Sequence, residues 1–254
     1  MKTHTVSSDI QRALGAKGFV IGIAGMVLMI LVASLQSILS SIGGTGLPYG
    51  YHGQLILDAL KSDDVTLVLP ILCTLPFAAA YVDDIQSGFI KEYLPRAGVN
   101  AYIKGKLIAS GISGGLALAA GVCIAYGLSA LVFLPMEFAP DPDTVPVSHF
   151  AQIFPRILVV FASGAFWSLT GFTLASLTMS RYIAYASPFI LYYVLIILHE
   201  RYFQDLYVLY PKEWLAQSQR WVLSWGGILI LLGVLSALMC LTFTLTAKRR
   251  FSHV

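Results

Sequence analysis

GFVIGIAGMVLMILVASLQSILSSI, residues 18 to 42, runs for twenty-five residues without an Asp, Glu, Lys, Arg or His. A helix needs about 20 apolar residues to cross a hydrocarbon layer about 30 Å thick, so the stretch reads as a membrane span. Lys2, Arg12 and Lys17 precede it as basic residues precede a signal peptide's core. Such a core extends only about 7 to 15 residues, so a retained first helix is expected instead. The rest of the chain agrees: 57% of the 254 residues are apolar and 11% charged, where a soluble domain has about a quarter charged to keep its surface in water.

Gaps between charges give six spans, about 18–42, 65–82, 107–134, 157–178, 182–198 and 223–247. The expected fold is therefore an all-α integral membrane domain filling residues 1–254. The fifth span is short and holds Pro188, which points to a broken or re-entrant passage there and in the outer segment before span six. Lys and Arg accumulate in cytoplasmic segments near helix ends. On one side lie Lys2, Arg12, Lys17, Lys91, Arg96, Lys104, Lys106, Arg181, Lys248, Arg249 and Arg250, with only Asp9, Asp83, Asp84 and Glu92 as acids. That side is read as the cytoplasm, with both termini in it. The remaining nine acids and five bases fall outside, so the basic balance reflects topology and not nucleic-acid binding. Outer loops carry Pro48, Pro135, Pro140, Pro142, Pro146 and Pro211, with Glu137, Asp141 and Asp143 beside the central group, as solvated turns do. Between Tyr202 and Trp225 the aromatics Phe203, Tyr207, Tyr210, Trp214 and Trp221 alternate with charges, the composition of an interfacial helix.

Two inner segments carry more. Residues 1–17 read as an amphipathic helix on the inner leaflet, with Ser8 and Gln11 spaced as a capping box and Ile10, Ala13 and Leu14 on one side. The loop 83–106 opens with Asp83-Asp84-Ile85-Gln86 and reaches Lys91-Glu92-Tyr93-Leu94-Pro95-Arg96. Asp83 is placed to cap a helix that Pro95 stops after Leu94, and Ile85, Phe89, Ile90, Tyr93 and Leu94 form an apolar stripe that a membrane surface or a partner must cover. Asn100 is placed to cap the following helix, and Tyr102, Lys104 and Lys106 to snorkel at the interface. Gly111, Gly114 and Gly115 allow close helix packing in span three.

The acidic pair ending span two, Ser87-Gly88-Phe89-Ile90-Lys91, Leu94-Pro95-Arg96, then Tyr102-Ile103 and Lys106 together resemble the permease subunits of the ABC-2 family of ABC transporters. The layout is similar over the whole chain. The resemblance implies a six-span permease of the bacterial inner (cytoplasmic) membrane that pairs with a second permease, identical or related, and works with a separate nucleotide-binding subunit. It implies that 83–106 is the coupling loop, with Asp83, Asp84, Ile85, Phe89, Ile90, Lys91, Glu92, Tyr93, Leu94 and Arg96 meeting that subunit. It also implies export of an amphiphilic substrate, a peptide, lipid or drug, along a path offering hydroxyls such as Ser163, Ser168, Thr170 and Thr173.

No phosphate-binding loop is present, since around Gly105-Lys106 the deciding places hold Asn100 and Leu107. ATP and Mg are therefore expected on the partner subunit, with no cofactor, metal or catalytic residue in this chain. A membrane-embedded enzyme needs convergent reactive groups at one depth. The nearest set, His199-Glu200-Arg201, consists of adjacent helical residues that point apart, and reads as interfacial anchoring. Cys73, Cys123 and Cys240 are far apart in apolar runs and read as packing residues. The six spans hold no Asp, Glu, Lys or Arg, which argues against ion coupling and less strongly against a non-transporting scaffold or immunity protein.

Overall fold

The computed structural model describes residues 2–41, 46–138, 149–216, 221 and 223–251. The predicted outer-loop residues Pro140, Asp141, Pro142, Asp143 and Pro146 lie outside the described residues. The elements are α1 (Lys2–Leu14), α2 (Lys17–Ser41), α3 (Tyr51–Lys61), α4 (Asp63–Leu72), α5 (Ala80–Gln86), α6 (Phe89–Ala97), α7 (Val99–Phe133), α8 (His149–Thr178), α9 (Arg181–Arg201), α10 (Pro211–Ala216) and α11 (Trp225–Phe251). Among the described residues the chain is helical without a strand. Its one bridge joins Leu47 to Glu137.

Five helical stretches are long and apolar enough to cross a membrane: Lys17–Ser41, Val99–Met136, Ala151–Thr178, Arg181–Arg201 and Trp225–Phe251. The third is 67% buried and the others 39% or less, so α8 is the central post, with α7, α9 and α11 packed around it. The outer helices turn large aliphatic side chains outward, among them Leu28 and Val32 on α2 and Val234 and Leu241 on α11. A face of that kind suits hydrocarbon.

Contacts sort the helix ends into two groups. One end gathers α1, the α5–α6 loop, the α8–α9 junction and the close of α11, tied by Arg12 to Asp84 at 2.9 Å, by Arg181 to Asp83, and by Arg250 donating to Ser176 O at 3.2 Å. The other end ties Glu137 to His52 at 2.7 Å and Lys212 to Asp63 at 2.8 Å. Between these ends run the five long helices found among the described residues and the interrupted α4–α5 stretch.

The break falls elsewhere than the sequence reading placed it. Span 65–82 is not one helix: α4 ends at Leu72, turns occupy 73–79, and α5 resumes at Ala80. Pro76 has no N–H to donate and pushes Leu75 away from helical geometry, while Pro70 already sits in the last turns of α4. The stretch stays in hydrogen-bonded turns, with Cys73 N–H donating to Leu69 O, Thr74 to Ile71 O, Ala78 to Thr74 O and Ala80 to Phe77 O, and what the proline leaves unpaired at membrane depth must be covered by protein. Glycines supply the covering. A Cβ on Gly18 would come within 2.1 Å of Leu75 O, and one on Gly114 within 2.8 Å of Cys73 O, so α2 and α7 press directly on this backbone. The fifth span, by contrast, is the continuous α9 despite Pro188. A proline ring displaces the carbonyl four residues back, here that of Ala184, which lies against Gly171 of α8, where a Cβ would sit 2.4 Å away.

The aromatic outer segment also departs from a single interfacial helix. It forms a 3₁₀ turn, Tyr207–Leu209, then α10, whose Trp214 is 1% exposed, is stacked on Trp167 with centroids 5.9 Å apart, and donates its indole N–H to Val208 O.

Gly114→Ala is expected to cost about 1 to 3 kcal/mol, because the new methyl meets backbone and a neighbouring helix, with Ser168 Cβ only 2.4 Å away. Gly127→Ala, on the same helix with nothing within 4 Å, should leave the thermal midpoint in detergent unchanged. Equal midpoints for the two variants would refute the close packing around 73–79.

Candidate functional site: a buried charge network beneath the α5–α6 loop

Two breaks shape the loop. Gly88 (φ 76°) and Gly98 (φ 79°) take left-handed backbone conformations that residues with a Cβ resist. Gly88 divides the expected Asp83–Leu94 helix into α5 and α6, which places Asp83 inside α5 and not at a cap. Pro95 lies within α6, which continues to Ala97, and α7 begins at Val99 ahead of Asn100. α7 is thirty-five residues long, about 52 Å at 1.5 Å per residue, and so outruns a hydrocarbon layer. Its first turns carry Tyr102 and Lys106, four residues apart on one face.

Lys106 does not snorkel. Its side chain is 1% exposed, and the ammonium lies 2.8 Å from Asp9 of α1 and 2.7 Å from Asp84 of α5. The Phe77 and Tyr102 rings stand 5.0 and 5.4 Å from it, completing a cage of two carboxylates and two aromatic faces. Asp84 also accepts from Arg12 at 2.9 Å and from the Tyr102 hydroxyl at 3.1 Å. α1 can come this close because position 105 is glycine: a Cβ there would stand 2.6 Å from Asp9 Oδ2. Burial lowers the affinity of the Arg12 guanidinium for its proton, but the hydrogen bond to Asp84 and the charges of Asp84, Asp9 and Asp83 outweigh this and hold it above its usual range. Two cations balance two carboxylates. The set holds charge and fixes three helices; it has no nucleophile paired with a base. Among the described residues no group of three or more His, Cys, Asp and Glu side chains is placed to bind a metal.

The ten residues expected to meet a partner divide in two. Asp84 is buried in the network, and Ile90 is 8% exposed. Ile90, Ile85, Tyr93 and Leu94 pack on Tyr81, Tyr102, Ile103, Phe172 and Phe243, so this chain covers most of the apolar stripe itself. Asp83 pairs with Arg181 at the start of α9. Phe89 is 42% exposed and stacks on Tyr93 at 5.0 Å. Together with the exposed Lys91, Glu92 and Arg96 it forms the loop's outward edge.

Asp9, Arg12 and Lys106 are the residues the sequence reading missed. Asp9 falls four residues before the buried Ala13, on the apolar side of α1, and an acid on that side was the available signal.

At the far end, Glu137 caps α3 from eighty-five residues away. It accepts from the backbone N–H groups of Gly50 (2.9 Å) and His52 (2.7 Å) and meets His52 Nδ1 at 2.7 Å. Ser129 of α7 donates to His52 O at 3.0 Å. Burial pushes the Glu137 carboxyl up, but these donors outweigh it and hold it below the usual range.

Lys106→Met strands Asp9 in a buried site and leaves Asp84 to Arg12 and Tyr102, and should cost about 3 to 5 kcal/mol in detergent unfolding; Asp9→Asn added to it should recover much of that loss. A single-variant cost under about 1 kcal/mol would argue that the network is solvated. A depressed carboxyl contributes stability above its unfolded pKa and loses it as pH falls through its folded one. The stability gap between wild type and Glu137→Gln should therefore be constant at neutral pH and shrink below about 4.5, read by denaturation at stepped pH. No family model matches this chain, and no curated protein shows significant similarity to it.

Proposed function

We propose that the chain is the permease subunit of an ATP-driven transporter of the ABC-2 type, inserted with its base-rich end in the cytoplasm. In this reading a separate nucleotide-binding subunit hydrolyses ATP with Mg, and two permeases enclose one path for an amphiphilic substrate, in a bacterial cytoplasmic membrane. The observation that carries it is the α5–α6 loop. One face of the loop is locked to α1 and α7 through Asp84, while Phe89, Lys91, Glu92 and Arg96 stand free on the other. A surface that is rigid behind and mixed in charge in front suits docking to a soluble protein. The base-rich end also collects Lys248, Arg249 and Arg250 on the last turn of α11, in keeping with a cytoplasmic position.

The test is purification from the native membrane in mild detergent, followed by reversal of Lys91→Glu, Glu92→Lys and Arg96→Glu together. An ATPase subunit should accompany the wild type, and the triple variant should insert normally but lose at least about 90% of the bound ATPase and of substrate export. A variant that keeps both would remove the coupling role from this edge, and a chain that never brings an ATPase would favour the scaffold reading.

A further inference from the structure

A cavity of about 190 Å³ opens between α1, the turns at 73–79 and α9, lined by Leu75, Pro76 and Phe77 together with Arg12, Asp83 and Tyr185. Neither charged group is used up by its known partner. Asp84 holds a single nitrogen of Arg12, whose side chain is 51% exposed, and Asp83 remains 38% exposed beside Arg181. The cavity thus combines an apolar lining, a cation and an anion, at the level where α1 meets the bundle.

We propose that this cavity binds the headgroup of a phospholipid bearing a primary ammonium, that is, a phosphoethanolamine lipid. The phosphate takes the free nitrogens of Arg12, a pairing that guanidinium geometry favours, and the ammonium takes Asp83. Tyr185, at the depth where ring and hydroxyl suit the interface, supplies a further donor. A free phosphate or a phosphoglycerol headgroup has no ammonium for the exposed part of Asp83 and would use only the Arg12 half of the site. A choline headgroup has no N–H to give it and is bulkier.

The test is native mass spectrometry of the purified chain in micelles containing equal amounts of phosphatidylethanolamine, phosphatidylcholine and phosphatidylglycerol. The ethanolamine lipid should remain bound at least about tenfold more often than either competitor. Asp83→Asn should reduce it to the choline level. Ala16→Phe, which fills the cavity from the turn between α1 and α2 and changes neither charge, should abolish the preference with the far-ultraviolet circular dichroism unchanged. Equal retention of the three lipids, or an undiminished preference in Ala16→Phe, overturns the proposal. So does displacement by micromolar soluble phosphoethanolamine, which would make the occupant a soluble zwitterion. None of these outcomes depends on an ATPase partner.

Discussion

An ammonium at 1% exposure, as Lys106 is, can stay charged only if carboxylates are brought to it, because desolvation of a lone ion costs several kcal/mol. The two that arrive come from chain segments ninety-seven and twenty-two residues away, 2.8 and 2.7 Å from the nitrogen. Satisfying this one charge therefore fixes where α1 lies, which way α5 turns and how far α7 extends past the hydrocarbon. Arg12 follows from the same requirement, since Asp84 is shared and its second oxygen needs a donor. α1 is thus a structural part of the bundle at its base-rich end.

The broken passage obeys a second constraint, the need to pair or shield every backbone polar group in a medium without water. Pro76 opens the helix, and the cost is contained because the stretch is surrounded by protein: Gly18 against Leu75 O, Gly114 against Cys73 O. The same logic leaves α9 whole. Pro188 also displaces a carbonyl, but that carbonyl meets Gly171 on the central helix, and the rest of the turn can stay regular. One proline breaks a passage and the other does not, and the difference lies in the neighbours and the local run of residues, not in the proline.

This explains which features could be read from residues alone. Charge-free length located α2, α7, α8, α9 and α11 to within a few residues at most ends, because hydrocarbon thickness sets it. It failed at 65–82, where apolar content cannot tell a continuous helix from one interrupted by turns. At the loop, the apolar stripe of Ile85, Ile90, Tyr93 and Leu94 was visible as a stripe, but what covers it was not. Phe172 and Phe243 come from α8 and α11, far along the chain, and no local pattern announces their meeting. Gly88 was the overlooked signal, since a glycine between two helical runs is the residue that permits a left-handed turn. Lys106 was misread for a physical reason as well. A lysine at a helix entrance ordinarily snorkels, and only the acid on the inner side of α1 distinguishes this one.

The bundle's two ends are fastened by chemically different joints, and this bears on how motion could pass through it. At the base-rich end, Asp84 joins α5 to both α1 and α7, so a displacement of the α5–α6 loop by an ångström or two must stretch several charge-assisted bonds or carry both helices along. Charge-assisted bonds between buried groups resist the first course. At the other end α3 hangs from Glu137 by its helix N-terminus and one imidazole. That joint is made of hydrogen bonds to one carboxylate, and the ion pair of Lys212 with Asp63 at this end ties α10 to α4 and not α3. Between them runs a passage without a continuous helix to act as a rod. If the loop is pulled as the proposed function requires, the bonds it stretches first are those to α1 and α7, through Lys106 and Asp9 and through Tyr102. From there α7 is a continuous helix as far as Ser129 and the short turn before Glu137, whereas the second passage is interrupted at 73–79.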